Sequence, residues 1–371
     1  MFKSRLFQRL CTEVFNLILY VWQYQNNTFV KIAVIDYAKS VIWVERYNKS
    51  GEFELYLRAS EELLKLFSID GLIVTRENID TAMIVDGVKL NTDALNGDYI
   101  TVTGKTIDSV LGYRIFPKQK DYSGTAENVI RQMIMDNVID PTNRDRKMSF
   151  VTLANSNGWE ETLEKQVTGK NLLDTISDIC ISFDYGFKMI FLSGNFVFSL
   201  YKGADRSFSQ SVNPYVVFSP QFENLGNTEY SKNKNTYFNS VYVAGEGEGS
   251  DRIILEVNDE LKKSLFLREK WVDAKTISST TEGGTLRPTE YLQLLADRGR
   301  EELKITQEVT SFSGEILNLN SYRYGIDYFL GDKIQIETEY GMTGIAQITE
   351  ITEVEDDTGY KIYPTLSEWG E

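Results

Sequence analysis

Short runs of alternating apolar and polar positions, separated by turn residues, fill the first part of the chain. Phe29–Ile35 is β-branched and partly alternating and closes at Asp36, and Val41–Tyr47 repeats the pattern. Asn48-Lys49-Ser50-Gly51 is turn chemistry, with Gly51 expected to use its freedom to take a positive φ. Phe53–Leu57 alternates cleanly. Ser60–Phe67 predicts a short helix with Leu63, Leu64 and Phe67 on one face. Ala82–Leu90 reads as a hairpin around Asp86-Gly87, and Tyr99–Thr103 as another strand. Roughly six strands in about 80 residues point to a small barrel or sandwich.

After a break at Pro117–Gly124 the period changes. Thr125–Val138 predicts a helix, with Val129, Ile130, Met133, Ile134 and Val138 at helical spacing and Pro141 ending it. Asn171–Cys180 predicts a second, with Leu172, Leu173, Ile176, Ile179 and Cys180 inward. Lys188–Leu192 and Phe196–Leu200 flank Ser193-Gly194-Asn195, a hairpin signal. Asp121–Tyr201 therefore reads as a separate α+β unit. Ala204–Asp251 is richer in Asn, Ser, Gly and Tyr, with strands expected at Tyr237–Ala244 and, after the Gly245–Gly249 interruption, Ile253–Val257. Thr281–Pro288 reads as a loop. Tyr291–Leu303 predicts a helix with Leu292, Leu295, Ala296, Gly299 and Leu303 on one face. From Glu308 to Leu366 strand follows strand, among them Ile334–Ile336 and Ile345–Val354, and Asp356-Asp357-Thr358-Gly359 makes the last hairpin turn. One weak internal echo is visible: Asn96–Val102 resembles Leu330–Ile336, each a Gly-Asp turn before an alternating strand.

The N-terminus is read separately. Lys3, Arg5 and Arg9 precede an apolar run, Leu17–Trp22, which is the order of a secretory signal. Glu13 and Asn16 interrupt it, no small-residue cleavage site follows, and the run is far shorter than the ~20 residues of a membrane span. The expectation is a short amphipathic helix docked on the body or on a partner, in a chain that stays in the compartment that makes it.

Composition narrows the chemistry. The 371 residues suggest two or three domains. A formal charge of −15 argues against a broad basic face for nucleic acid. With no histidine, Ser-His-Asp and Cys-His mechanisms, HExxH zinc sites and any imidazole base are excluded. Two cysteines, Cys11 and Cys180, make no disulfide framework.

Five candidate constellations remain. Gly245-Glu246-Gly247-Glu248-Gly249 is glycine-rich like a phosphate loop, but it carries two carboxylates and no following Lys-Ser/Thr, and reads better as a hairpin tip. Glu160-Glu161 after Trp159 could serve a sugar-cleaving cleft, against an exposed helix start. Glu353, Glu355, Asp356 and Asp357 could hold Ca²⁺, but their spacing is not an EF-hand's, and a solvated turn is the better reading. Tyr322, Tyr324 and Tyr328 could anchor a protein contact or simply follow β-propensity. Arg298, Arg300 and Lys304 could face an acidic neighbour or water. No residue is assigned to catalysis, to a cofactor or to a metal.

Several stretches in order resemble a known family. They are Ile42–Tyr47 running into Gly51–Leu55; Ile100–Gly104; Asn239–Gly245; Tyr324–Asp332; and the closing Tyr360–Glu368. Together they resemble ReqiPepy-type minor tail proteins, the siphophage baseplate-hub or tail-associated family, from about Phe29 onward. The resemblance implies a β-rich, multidomain α+β fold in which two small tube-like β-barrels flank an α+β domain and a β-rich insertion. The expected units are residues 1–28 as an N-terminal extension, 29–116 as the first barrel, 117–203 as the α+β domain, 204–307 as a β-rich segment with a helix over 289–305, and 308–371 as the second barrel.

It further implies a non-enzymatic structural virion protein of the tail tip, made in the bacterial host cytoplasm. A homotrimer would form a pseudo-hexameric ring joining the tail tube to the tip. Its partners would be a distal tail or tail tube protein, the tape measure protein and a tip or receptor-binding protein. Genomic DNA would pass the lumen without specific binding, and no small-molecule substrate is expected. The alternatives are a tail-associated cell-wall hydrolase and a host carbohydrate- or receptor-binding module.

Overall fold

The computed structural model describes residues 18–77, 81–95, 97–258, 264–281, 284–315, 321–337 and 343–370. Lys3, Arg5, Arg9, Cys11 and Asn96 lie outside the described residues.

The first strands are β1 (Leu19–Gln25), β2 (Thr28–Ile35), β3 (Ser40–Arg46) and β4 (Glu52–Arg58). After helix α1 (Glu61–Phe67) come β5 (Leu72–Arg76), β6 (Ala82–Asn91) and β7 (Tyr99–Thr106). They pair in the order β3-β4-β7-β6-β5-β1-β2. Leu19, Ile35, Val41, Leu55, Val74 and Val102, drawn from strands along the whole of this run, share one buried cluster, so the sheet curls around it. Fully burying each such side chain contributes about 1.5–3 kcal/mol.

Three expectations change here. The described part of the apolar run is not a helix: Leu19–Trp22 opens β1, with Leu19 and Val21 buried and Tyr20 and Trp22 half-buried between and after them, a period of two. β1 pairs with both β2 and β5, which ties residues 19–28 into the sheet rather than leaving them in an extension. Ala82–Leu90 is no hairpin. It is one strand with a bulge between Val85 and Gly87. Gly51 does not sit at positive φ. It is needed because a Cβ there would lie 1.9 Å from the Val44 carbonyl oxygen.

The middle of the chain supplies β8 (Lys120–Thr125), α2 (Ala126–Ile134), β9 (Val151–Leu153), β10 (Thr162–Val167), α3 (Leu172–Phe183), β11 (Gly186–Leu192) and β12 (Asn195–Tyr201). Thr125 Oγ1 accepts from the Asn128 amide to cap α2, whose last turn loosens into a π-turn at Met135–Ile139. Asn171 Oδ1 accepts from the amides of Leu173 and Asp174 at the start of α3. Ser193 and Gly194, both at positive φ, turn β11 into β12. The apolar faces of the two helices meet Phe187 and Phe198 in a core that also takes Phe29, Ile73 and Ala82 from the first sheet.

Beyond lie β13 (Asp205–Arg206), β14 (Val217–Phe218), β15 (Gly226–Asn233), β16 (Ser240–Ala244), β17 (Ile254–Asn258), β18 (Glu269–Asp273), β19 (Thr280–Thr281), β20 (Gly284–Thr285), α4 (Pro288–Ile305), β21 (Val309–Glu315), β22 (Lys333–Glu337), β23 (Thr343–Asp356) and β24 (Gly359–Gly370). β17-β16-β18 form a small sheet against which α4 packs Tyr291 and Leu295. Leu292, expected inward, is exposed. Residues 204–307 do not form one insertion: β13 and β14 run parallel to β22 and β15 pairs with β21, because Val216 and Phe218 share a core with Ile334 and Ile336.

The fold is mixed α+β and strand-rich, and among the described residues its largest sheet has 14 strands. Its main path is β15-β21-β24-β23-β3-β4-β7-β6-β5-β1-β2, so the two ends of the chain belong to one sheet, joined where β23 pairs with β3.

Candidate functional site: the seam between the two ends of the chain

The seam is built first from backbone. β3 and β23 run antiparallel in unbroken register from Ser40 opposite Asp356 to Arg46 opposite Glu350. Side chains then lock it. The Arg46 guanidinium donates to Glu350 at 2.5 Å, to Glu52 at 2.6 Å and to the Ser50 carbonyl at 3.0 Å. Arg76, at the end of β5, donates to Glu353 Oε2, which also accepts from the Tyr360 hydroxyl. Lys39 pairs with Asp357 at the far end.

Tyr47, just past β3, is buried in the C-terminal core and bonds to the middle of the chain as well. Its amide donates to Thr349 O, its carbonyl accepts from Phe187, and its hydroxyl donates to Asp184 O at 2.9 Å and accepts from the Gly203 amide at 3.2 Å. Burial raises its phenol. The ring lies so close to Gly186 and Gly331 that a Cβ on either would sit 2.2 and 2.3 Å from a ring carbon. Asp332 completes the joint. Its carboxylate accepts from the amides of Ala204 and Phe329 and from Arg206 Nε at 2.6 Å, which holds β13 against β22.

Behind the seam lies a cleft of about 340 Å³ lined by Glu45, Asp108, Lys188, Tyr201 and Asp332, among others. Burial pushes the Asp108 carboxyl up to about 6, opposed by hydroxyl donors from Ser50 and Thr106. Burial and the neighbouring Glu353 raise Glu45, which accepts from Thr81 at 2.9 Å. Both acids are tied by hydroxyls of adjoining elements, which is the chemistry of a joint.

The structure disperses the candidate constellations. In the Gly245–Gly249 loop, Glu246 accepts from Ser278 and Ser279, and its amide donates to the Tyr291 hydroxyl; a Cβ at Gly245 would lie 2.3 Å from that hydroxyl. Glu161 accepts from Lys202 and Tyr185, and the Lys202 hydrogen bond comes first among the causes that hold its carboxyl down at about 2. The Lys202 ammonium sits over the Trp159 ring at 4.7 Å. Glu160 has its side chain in solvent. Glu353 and Glu355 pair with Arg76, Asp356 accepts from its own turn at Thr358, and Asp357 turns to Lys39, so the four do not converge. Tyr328 is buried, and Tyr322 and Tyr324 pack beside it in the C-terminal core. Arg298 pairs with Glu301 and Glu302, Arg300 with Asp297, and Lys304 donates to Ser182 O. All three cations line a second cleft, of about 830 Å³, between α4 and the α3–β10 face.

Tyr47 and Asp332 lie inside stretches that carry the family resemblance, but nothing in the sequence marks them as a joint. The one usable signal was the echo at Leu330–Ile336: Gly331, like Gly97, sits at positive φ before its strand.

The family model for Siphovirus ReqiPepy6 Gp37-like protein matches residues 18–366. No curated protein sequence matches the chain. Among solved structures, the fold is similar to the tail protein from Neisseria meningitidis MC58, with a TM-score of 0.56 at 11% identity over 95% of this chain and 97% of that one. It is similar to prophage MuSo2 43 kDa tail protein from Shewanella oneidensis, with 0.55 at 13% over 94% and 98%. Prophage tail protein gp18 from Listeria monocytogenes EGD-e gives 0.52 at 12% over 95% and 94%.

Proposed function

The chain belongs to the Siphovirus ReqiPepy6 Gp37-like protein family, and on that premise we propose that it is the hub of the tail tip, a segment of a trimeric ring that joins the tail tube to the tip and lets DNA pass. Family and fold support a structural role in a phage tail. The observation that carries the finer reading is the seam. Strands from the two ends of the chain curl around two cores and share one sheet, which supports a reading in which a single copy would contribute two tube-like units side by side. Three copies would then present six such units, a match for a hexameric tube above and a three-fold tip below.

The remaining partners follow: a distal tail or tail tube protein and the tape measure protein on one side, and a tip or receptor-binding protein on the other. Each copy brings a formal charge of −15, and an acidic wall repels phosphates over a Debye length of ~8 Å. Electron microscopy of the chain, alone and with its tail neighbours, tests the reading. A three-fold annulus that does not retain DNA at low salt is expected. A particle with no central opening, or one with a basic channel, contradicts it.

A further inference from the structure

We propose that copies of the chain join edge to edge, the outer half of β6 in one copy pairing antiparallel with β15 of the next; this rests on the ring reading above. The strands β15-β21-β24-β23-β3-β4-β7-β6 pair antiparallel throughout. Both ends of that run are open among the described residues. β15 pairs only with β21. β6 pairs with β7 along its length, but β5 covers only Ala82, Met83 and Ile84. Residues 85–91 therefore carry a row of backbone donors and acceptors that no described strand meets, and the bulge before Gly87 bends the strand where β5 stops. An open edge is a template for another strand.

Direction selects between the open edges. Eight alternating strands leave β6 and β15 antiparallel, so joining one copy's β6 to the next copy's β15 continues the alternation without a break. β2, three strands further along the path, runs in the same direction as β15 and would break it. The joint uses two different surfaces of one chain, the kind of contact that generates rings.

Side chains fix a register. Setting Lys89 opposite Glu229 also sets Val88 opposite Tyr230. The charge pair is then of opposite sign, and two exposed side chains, Val88 and Tyr230, meet. A slip of two residues puts Lys89 against Asn227 or Ser231 and loses the match.

The full chain tests this by sedimentation and cross-linking, with circular dichroism confirming that each variant folds. Lys89→Glu should weaken association by about tenfold, and adding Glu229→Lys should restore it to within about threefold. In a Cys11→Ser background, Val88→Cys with Tyr230→Cys should give interchain disulfides on mild oxidation, since directly opposed positions bring Cβ atoms within about 5.5 Å. A ring that forms without the cross-link and ignores Lys89→Glu would overturn this joint and leave the ring reading standing. A single-chain mass for the parent at every concentration would overturn both.

Discussion

Arg76 and Glu353 stand 277 positions apart in sequence and meet at 2.7 Å, each with only 10% of its side chain exposed. The guanidinium also lies over the Trp43 ring, 5.6 Å from its centre. Removing one member of a buried pair leaves an uncompensated charge at a cost of ~3 kcal/mol or more. Glu353→Gln or Arg76→Ala should lower the melting temperature by several degrees. Replacing both with apolar residues of similar volume should recover most of the loss. An unchanged melting temperature for Arg76→Ala would show that the seam does not depend on the pair.

Asp108 gives the joint a pH signature. Burial pushes its carboxyl up to about 6 in the folded chain, from the 3.8 of a free aspartate. The folded state therefore binds the proton more tightly, and this group's contribution to stability is present below pH ~4 and lost as pH rises to ~6. Asp108→Asn should be more stable than the parent at pH 7.5 by ~2 kcal/mol, with the difference shrinking towards pH 4. Paired denaturation curves at the two pH values check this. A constant difference would contradict the burial argument.

Gly331 separates close approach from backbone freedom. It has φ of 95°, and a Cβ there would lie 2.3 Å from the Tyr47 ring. Gly359 has φ of 116° with nothing within 4 Å of its Cβ position. At both, an Ala would be held at a positive φ, a strain of about 1–2 kcal/mol. Only Gly331→Ala must also displace a buried ring, so it should be the more costly by several kcal/mol in thermal unfolding.

Much of the fold was legible where the period was clean. α2, α3 and α4 follow from helical spacing, and the β11–β12 turn from Ser193-Gly194. β5 escaped notice because Leu72, Ile73 and Val74 are all buried, so the strand shows no alternation. β1 was obscured by the basic residues ahead of it. Gly87 looked like a turn because a glycine after an aspartate suits both a hairpin and a bulge. The seam is illegible for another reason: Arg76, Glu353, Tyr47 and Asp332 owe their roles mainly to partners more than 100 residues away, which no local pattern carries. The candidate carboxylates and tyrosines cluster in sequence, but in the fold neighbouring elements supply the carboxylates with separate partners and the tyrosines pack into the C-terminal core.

Glu161 bears on the hydrolase alternative. Lys202 and Tyr185 already bind its carboxylate, and Lys202 covers Trp159, so the pair Glu160-Glu161 is not poised over an open cleft. The purified chain should give no clearing in a zymogram of host peptidoglycan. Clearing that disappears in Glu161→Gln would overturn this.

The mass of the particle in solution, measured alone and with the neighbouring tail proteins, tests the central claim most directly. Three times the 42.5 kDa of one chain is expected within the assembled species. A chain that stays at 42.5 kDa and binds none of its tail neighbours would contradict it.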